Sequence, residues 1–140
     1  MMATARMMPG RRRSGGFTLI ELIVACAVVG ILSAIAYPSY TQYVYSSHRS
    51  TAKAILSEQA QFMERYYTTN STYVGATVLA AQSPKTGQAK YVIALTPVAT
   101  ATTFSVTATP QGQQANDKCG VLTLDSTGLT KVSTTATGCW

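Results

Sequence analysis

From Phe17 to Ala36 the chain reads FTLIELIVACAVVGILSAIA, apolar at every position except Thr18, Glu21 and Ser33. A helix of that length spans about 30 Å, the hydrocarbon thickness of a bilayer, so the stretch is predicted to cross a membrane. Pro38 follows at once. A proline inside a helix removes a hydrogen bond and crowds the preceding turn, so a kink or local melting is expected there. Gly30 is a second weak point. From Ser39 to about Tyr67 the pattern changes. Ile55/Leu56, Gln59/Ala60, Phe62/Met63 and Tyr66/Tyr67 recur at three- to four-residue steps, with Ser57, Glu58, Glu64 and Arg65 between them. That period belongs to an amphipathic helix with one face on a core.

Beyond Tyr73 the apolar positions come in short Thr- and Val-rich runs. Tyr91–Thr96 and Phe104–Thr109 are bounded by Pro97 and Pro110, and Val121–Asp125 and Leu129–Val132 flank the turn Ser126-Thr127-Gly128. Four strands in meander order are predicted, hence an antiparallel sheet. The fold class is α+β: a long N-terminal helix, transmembrane then amphipathic, packed on a small sheet. A chain of 140 residues has room for one such domain.

Charge changes the picture only once it is located. The formal balance is +6, yet Arg6, Arg11, Arg12 and Arg13 all precede the apolar run. From Phe17 onward the basic residues are Arg49, Lys53, Arg65, Lys85, Lys90, Lys118 and Lys131. Against Glu21, Glu58, Glu64, Asp117 and Asp125 they leave +2. Whole-chain charge is therefore no footprint of nucleic-acid binding. Arginines ahead of the apolar run place that end in the cytoplasm and the rest of the chain across the membrane. Cys119 and Cys139 lie in the polar C-terminal part, and in an exported domain such a pair is expected to be a disulfide. Cys26, alone in the apolar run, reads as a small packing residue.

Glu21 does not suit a plain anchor. A carboxylate inside a membrane helix costs a few kcal/mol unless it finds a partner. The run contains no Lys or Arg, but cleavage between Gly16 and Phe17 creates an ammonium group four residues before Glu21, on the same helix face. In a bundle of parallel helices the carboxylate also reaches a neighbour's amine and fixes axial register. Three plainer readings compete: a secretory signal ending at Ala34-Ile35-Ala36, a lipidated Cys26 after Ile23-Val24-Ala25, and an uncleaved anchor. Each leaves Glu21 without a purpose.

The string Gly16-Phe17-Thr18-Leu19-Ile20-Glu21-Leu22 behind a basic leader resembles the class III signal of type IV pilins and pseudopilins. The resemblance implies that a membrane prepilin peptidase cuts after Gly16, that Phe17 is then N-methylated, and that Glu21 guides docking in the filament. It also matches Pro38 to a family proline at which the helix melts locally on leaving the bilayer. Leaders in front of such a phenylalanine are short, so translation from Met7 or Met8 fits better than from Met1. The segment Glu64–Tyr73, with its aromatic pair and later tyrosine, resembles the helix-to-loop junction of PilE-type pilins. Cys119-Gly120 with the following LTLD, and the terminal Cys139-Trp140, resemble the cysteine-bounded D-region of PilE-like minor pilins.

The resemblance implies a type IV pilin fold with four parts: a removed leader at 1–16, a filament-core helix at 17–38, its amphipathic continuation at 39–70, and a globular domain at 71–140. It implies a minor pilin serving motility, adhesion or DNA uptake. Its partners would be other pilin subunits, the prepilin peptidase, the inner-membrane assembly platform and, before assembly, membrane lipid. The subunit would start in the inner membrane and end in an extracellular or periplasmic filament. A pseudopilin of type II secretion shares the N-terminal motif, but many pseudopilins lack the disulfide. A DNA receptor is the other alternative, with Lys85, Lys90, Lys118 and Lys131 as its contacts. No enzyme, cofactor, metal or small-molecule substrate is indicated. His48 has no nucleophile–acid arrangement readable around it and is expected on an exposed helix face. His48, Cys119 and Cys139 fall short of a zinc ligand set.

Overall fold

The computed structural model describes residues 16–140. The segment before Gly16, with its four arginines and the alternative starts Met7 and Met8, lies outside the described residues. One helix, α1 (Leu19–Asn70), carries both apolar patterns, and its helical assignment continues through Pro38. The chain divides into two units, the first ending at Tyr37 and the second running Pro38–Trp140.

In the first unit every residue from Gly16 to Tyr37 is exposed. The helix begins with a cap, the Thr18 hydroxyl accepting a hydrogen bond from the Glu21 amide at 3.3 Å. Thr18 and Glu21 stand at the spacing of a capping box, in which the acid also faces the positive end of the helix dipole. Among the described residues this helix is the one long and apolar enough to cross a membrane.

In the second unit α1 buries Arg49, Ala52, Ile55, Leu56, Gln59 and Met63, one face at helical spacing. Gln59 is buried because its amide is satisfied twice, donating to the Thr77 carbonyl at 3.0 Å and accepting from the Leu79 amide at 2.7 Å. The sheet has five strands rather than the four expected. They are β1 (Gln82–Ser83), β2 (Tyr91–Leu95), β3 (Ser105–Pro110), β4 (Leu122–Asp125) and β5 (Thr130–Val132). They lie in chain order and every neighbouring pair is antiparallel. The extra strand is only two residues long, too short to show an alternation in sequence. It pairs Gln82 with Val92 and Ser83 with Tyr91. Pro110, expected to lie outside the second long strand, is instead its last residue, opposite Tyr91.

Alternation along β2, β3 and β4 turns Tyr91, Ile93, Val106, Ala108, Leu122 and Leu124 inward, onto Ala52, Ile55 and Leu56. Val92, Thr107, Thr109, Thr123 and Lys131 take the other face. A second cluster joins Met63, Tyr73, Ala99 and Phe104. Here the Tyr73 ring stacks at 4.6 Å on Tyr67 and edge-on at 5.0 Å to Phe104, so the expected aromatic junction is a packed corner of the core. Burial, and the hydrogen bond from its hydroxyl to Glu64 at 3.0 Å, push the Tyr73 phenol above its ordinary range. The β4–β5 turn is tied by Asp125, whose Oδ1 accepts from the Thr127 hydroxyl and amide and the Leu129 amide. Those bonds, the hydroxyl's first, hold the Asp125 carboxyl below the usual range.

Candidate functional site

Gly16 and Phe17 lie ahead of the first helical turn, both exposed, the phenylalanine to 85%. Glu21, also exposed, sits on the first turn.

At the other end of the chain Cys119 and Cys139 form a disulfide with Cα atoms 5.7 Å apart. It closes a loop that includes all of β4 and β5. The tail after β5 is folded back by further bonds. The Ser133 hydroxyl accepts from the Val121 amide at 2.9 Å, the Thr134 hydroxyl donates to the Lys118 carbonyl at 2.8 Å, and the Trp140 indole donates to the Lys131 carbonyl at 3.1 Å. Lys53 reaches from α1 to the Cys139 carbonyl at 3.2 Å. Gly120 has a left-handed φ of 61°, and a Cβ there would stand 2.3 Å from the Ser133 hydroxyl oxygen. Only glycine lets the loop into β4 pass this close to the tail.

The four lysines named as contacts of the DNA-receptor alternative have different surroundings. Lys85 is taken up by Glu58 of α1, with its ammonium 2.6 Å from a carboxylate oxygen. Lys90 precedes β2, and Lys118 precedes the disulfide and β4. The register puts the start of β2, the end of β3 and the start of β4 at one end of the sheet, so these two lysines belong to that end. Lys131, opposite Thr123 in β5, stands on the face turned away from α1.

Between Lys90 and Lys118 lies a buried polar network that had no signature in sequence. Arg49 of α1 pairs with Asp117 at 2.5 Å, both side chains almost wholly buried. The fully buried Tyr91 hydroxyl donates to the other Asp117 oxygen at 3.4 Å and accepts from the Gln114 amide at 2.9 Å. Gln114 belongs to the 3-10 turn Gly112–Asn116, and also donates to the Tyr45 carbonyl at 3.2 Å. Its carbonyl faces His48 Nδ1 at 2.9 Å, and since that oxygen only accepts, Nδ1 carries the proton. His48 is thus half-buried rather than fully exposed. Desolvation, opposed by the Gln114 bond, pushes the Tyr91 phenol up to about 12. The network holds the β3–β4 connection against the helix.

Comparison with known proteins places these parts together. Residues 38–123 match the family described as "Type IV minor pilin ComP, DNA uptake sequence receptor", and residues 11–37 match the prokaryotic N-terminal methylation motif. The chain belongs to the type IV pilin family. The pilin is 38% identical over 94 residues to the fimbrial protein EcpC of Eikenella corrodens, a match covering 67% of this chain and 61% of that one. It is 34% identical over 82 residues to a type IV major pilin PilE1 of Neisseria gonorrhoeae, covering 58% of this chain and 38% of that one. The matches therefore span 61% and 38% of these relatives' own lengths, less than two thirds in both. Among solved structures, a type IV pilin from Shewanella oneidensis superposes with TM-score 0.51 at 32% identity, over 69% of this chain and 97% of that one. The non-core minor pilin PilV of Neisseria meningitidis, at 23% identity and TM-score 0.54 over 70% and 95% of the two chains, supports the fold alone.

As a minor pilin the chain belongs to a family of structural subunits that assemble with other pilins, and its apolar helix suits membrane anchoring before assembly. Sequence reading found the processing motif and the disulfide of this pilin but missed Arg49, Gln114 and Asp117. Arg49 and Asp117 are 68 positions apart, and nothing local to either announces the pair.

Proposed function

We propose that this minor pilin is taken from the inner membrane into a type IV pilus that captures DNA, and that its sheet domain makes the capture. The observation that carries the reading is the match of residues 38–123 to a family described as a DNA uptake sequence receptor. The placement of charge supports it. Lys90 and Lys118 share one end of the sheet, and the nearest acid in sequence, Asp117, is neutralised inside by Arg49. Phosphate contacts need such unopposed cations.

In this reading the leader, residues 1–16, is removed by the prepilin peptidase and the Phe17 amine is methylated. Residues 17–38 cross the membrane with their N-terminus in the cytoplasm and later join the filament core. Residues 39–70 and 71–140 face outward, and the assembly platform lifts the subunit from the lipid. Glu21 aligns subunits through the Phe17 amine. Glu21→Ala should leave membrane insertion intact and strongly reduce recovery in sheared filaments, and normal incorporation would sink the pairing role. Deleting the subunit, with surface filaments, secretion and transformation scored together, tests the whole reading. Transformation should collapse while filaments persist. Loss of secretion with normal pili and normal transformation would instead make it a pseudopilin.

A further inference from the structure

We infer that, before assembly, the sheet domain docks on the membrane surface by one end, with Lys90 and Lys118 against the phosphates of anionic lipid headgroups. This contact rests on membrane anchoring by the apolar run and not on DNA capture.

Pro38 opens the second unit, so the chain enters that unit from the apolar run. Within the unit, α1 meets one end of the sheet first. Gln114 donates to the Tyr45 carbonyl and its oxygen faces His48, and Asp117 pairs with Arg49. Lys118 follows directly and is exposed. Lys90 stands beside the same loop. Its carbonyl accepts from the Gln111 amide at 2.8 Å, and it lines one cavity with Gln111 and Gln113. The opposite end of the sheet meets α1 later. Phe104 packs with Met63, and Asp125 shares a cavity with Ser57, Ala60 and Glu64. The lysine-bearing end is therefore the one nearer the chain's point of entry, whatever angle α1 takes at Pro38.

The helical rise from Pro38 to Arg49 is about 16 Å. Headgroups take up roughly 5–8 Å of that beyond the hydrocarbon. The remaining gap of about 10 Å is close to one Debye length at physiological salt, before the reach of the lysine side chains is counted. Tyr40 and Tyr43, both exposed, come between the apolar run and this end. Amphipathic rings at such a place suit the headgroup level of a bilayer.

Charge is sorted in the same direction. Asp117, the acid at the lysine-bearing end, is buried on Arg49, and Glu58 is taken up by Lys85. Glu64 and Asp125 belong to the far end. An anionic surface thus meets Lys90 and Lys118 without a free carboxylate beside them. The loop next to them shows Gln111, Gln113 and Asn116 to solvent, side chains that suit headgroups rather than hydrocarbon. Lifting the subunit out of the bilayer would release both cations, so the filament would display a surface that the membrane had occupied.

The test uses the full chain in lipid nanodiscs, either phosphatidylglycerol or phosphatidylcholine. Lysine acylation by a water-soluble reagent is followed peptide by peptide by mass spectrometry. Lys90 and Lys118 should react about fivefold more slowly in the anionic discs, the effect of one lysine near such a surface. Salt at about 1 M, where the Debye length is about 3 Å, should remove the difference. Lys131, on the face of the sheet turned away from α1, should react within about twofold in both discs. Lys118→Glu changes one exposed side chain and should return Lys90 to its rate in phosphatidylcholine. Equal rates for Lys90 and Lys118 in the two lipids would overturn the docking, as would an equal slowing of Lys131. Protection of Lys90 that survives Lys118→Glu would also overturn it, since the two lysines would not act as one surface. A chain that fails to co-elute with either disc would remove membrane anchoring itself, and the docking with it.

Discussion

One helix contains two stretches with opposite economies of surface. Between Leu19 and Tyr37 its apolar side chains are all exposed within the subunit, whereas between Arg49 and Met63 the inward residues are sealed against the chain's own sheet. The second stretch is stabilised by folding. The first gains nothing from folding and can be satisfied only by lipid or by other helices. Sequence in the first stretch therefore encodes where the subunit goes, and sequence in the second encodes what it becomes.

Substitutions should separate the two stretches cleanly. The largest effect on unfolding is expected from Arg49→Ala. It leaves the Asp117 carboxylate buried without its cation and should cost about 3–5 kcal/mol. Chemical denaturation of the full chain in detergent would check it, and a loss below about 1 kcal/mol would mean that the pair is solvated. Leu56→Ala, at a fully buried position facing the sheet, should cost about 2–5 kcal/mol by the same measurement.

Tyr91 gives a dependence on pH. Its folded pKa, about 12, lies above the ordinary phenol value of 10.0, so the folded state keeps a proton that the unfolded state has lost. The contribution is full below pH 10 and declines as pH rises towards 12, by about 1.4 kcal/mol per pH unit for one group. Tyr91→Phe should flatten that part of the alkaline stability curve, at the cost of roughly 1 kcal/mol at neutral pH for the bond from Gln114. An unchanged alkaline slope would show that another group titrates there. The smallest effect belongs to the first stretch. Leu22→Ala should leave unfolding within about 0.5 kcal/mol of wild type, because Leu22 is exposed and outside the core clusters.

The same division explains how much could be read without a structure. The apolar run was legible because a membrane demands apolarity at every position, and no tertiary contact is needed to see it. Glu21 was legible for the converse reason: one acid in such a run has to be explained. The pairing of Cys119 with Cys139 followed from compartment and count. In the second stretch the helix showed its inward face through Ile55, Leu56 and Met63. The sheet was harder. Gln82 and Ser83 form a strand only because Tyr91 and Val92 stand beside them. The polar network was harder again, since Arg49, Tyr91, Gln114 and Asp117 come from three separate elements and look in sequence like ordinary surface residues. Charge summed over the chain carried no information on binding once its basic excess was located ahead of the apolar run, while charge placed on the structure separated Lys85, already paired, from Lys90 and Lys118.

The hydrogen bond from the Trp140 indole to the Lys131 carbonyl bears on a hazard common to proteins stored side by side at high density. Strand β5 is a margin of the sheet, and its unpaired backbone groups are a template on which another chain can add a strand. The indole ties the C-terminal tail to this strand at the Lys131 carbonyl, and the disulfide keeps that tail from swinging away. The opposite margin, β1, is only two residues long. Sheets with both borders blunted can be crowded together without zipping into a continuous cross-β array, so neighbouring domains stay separate objects.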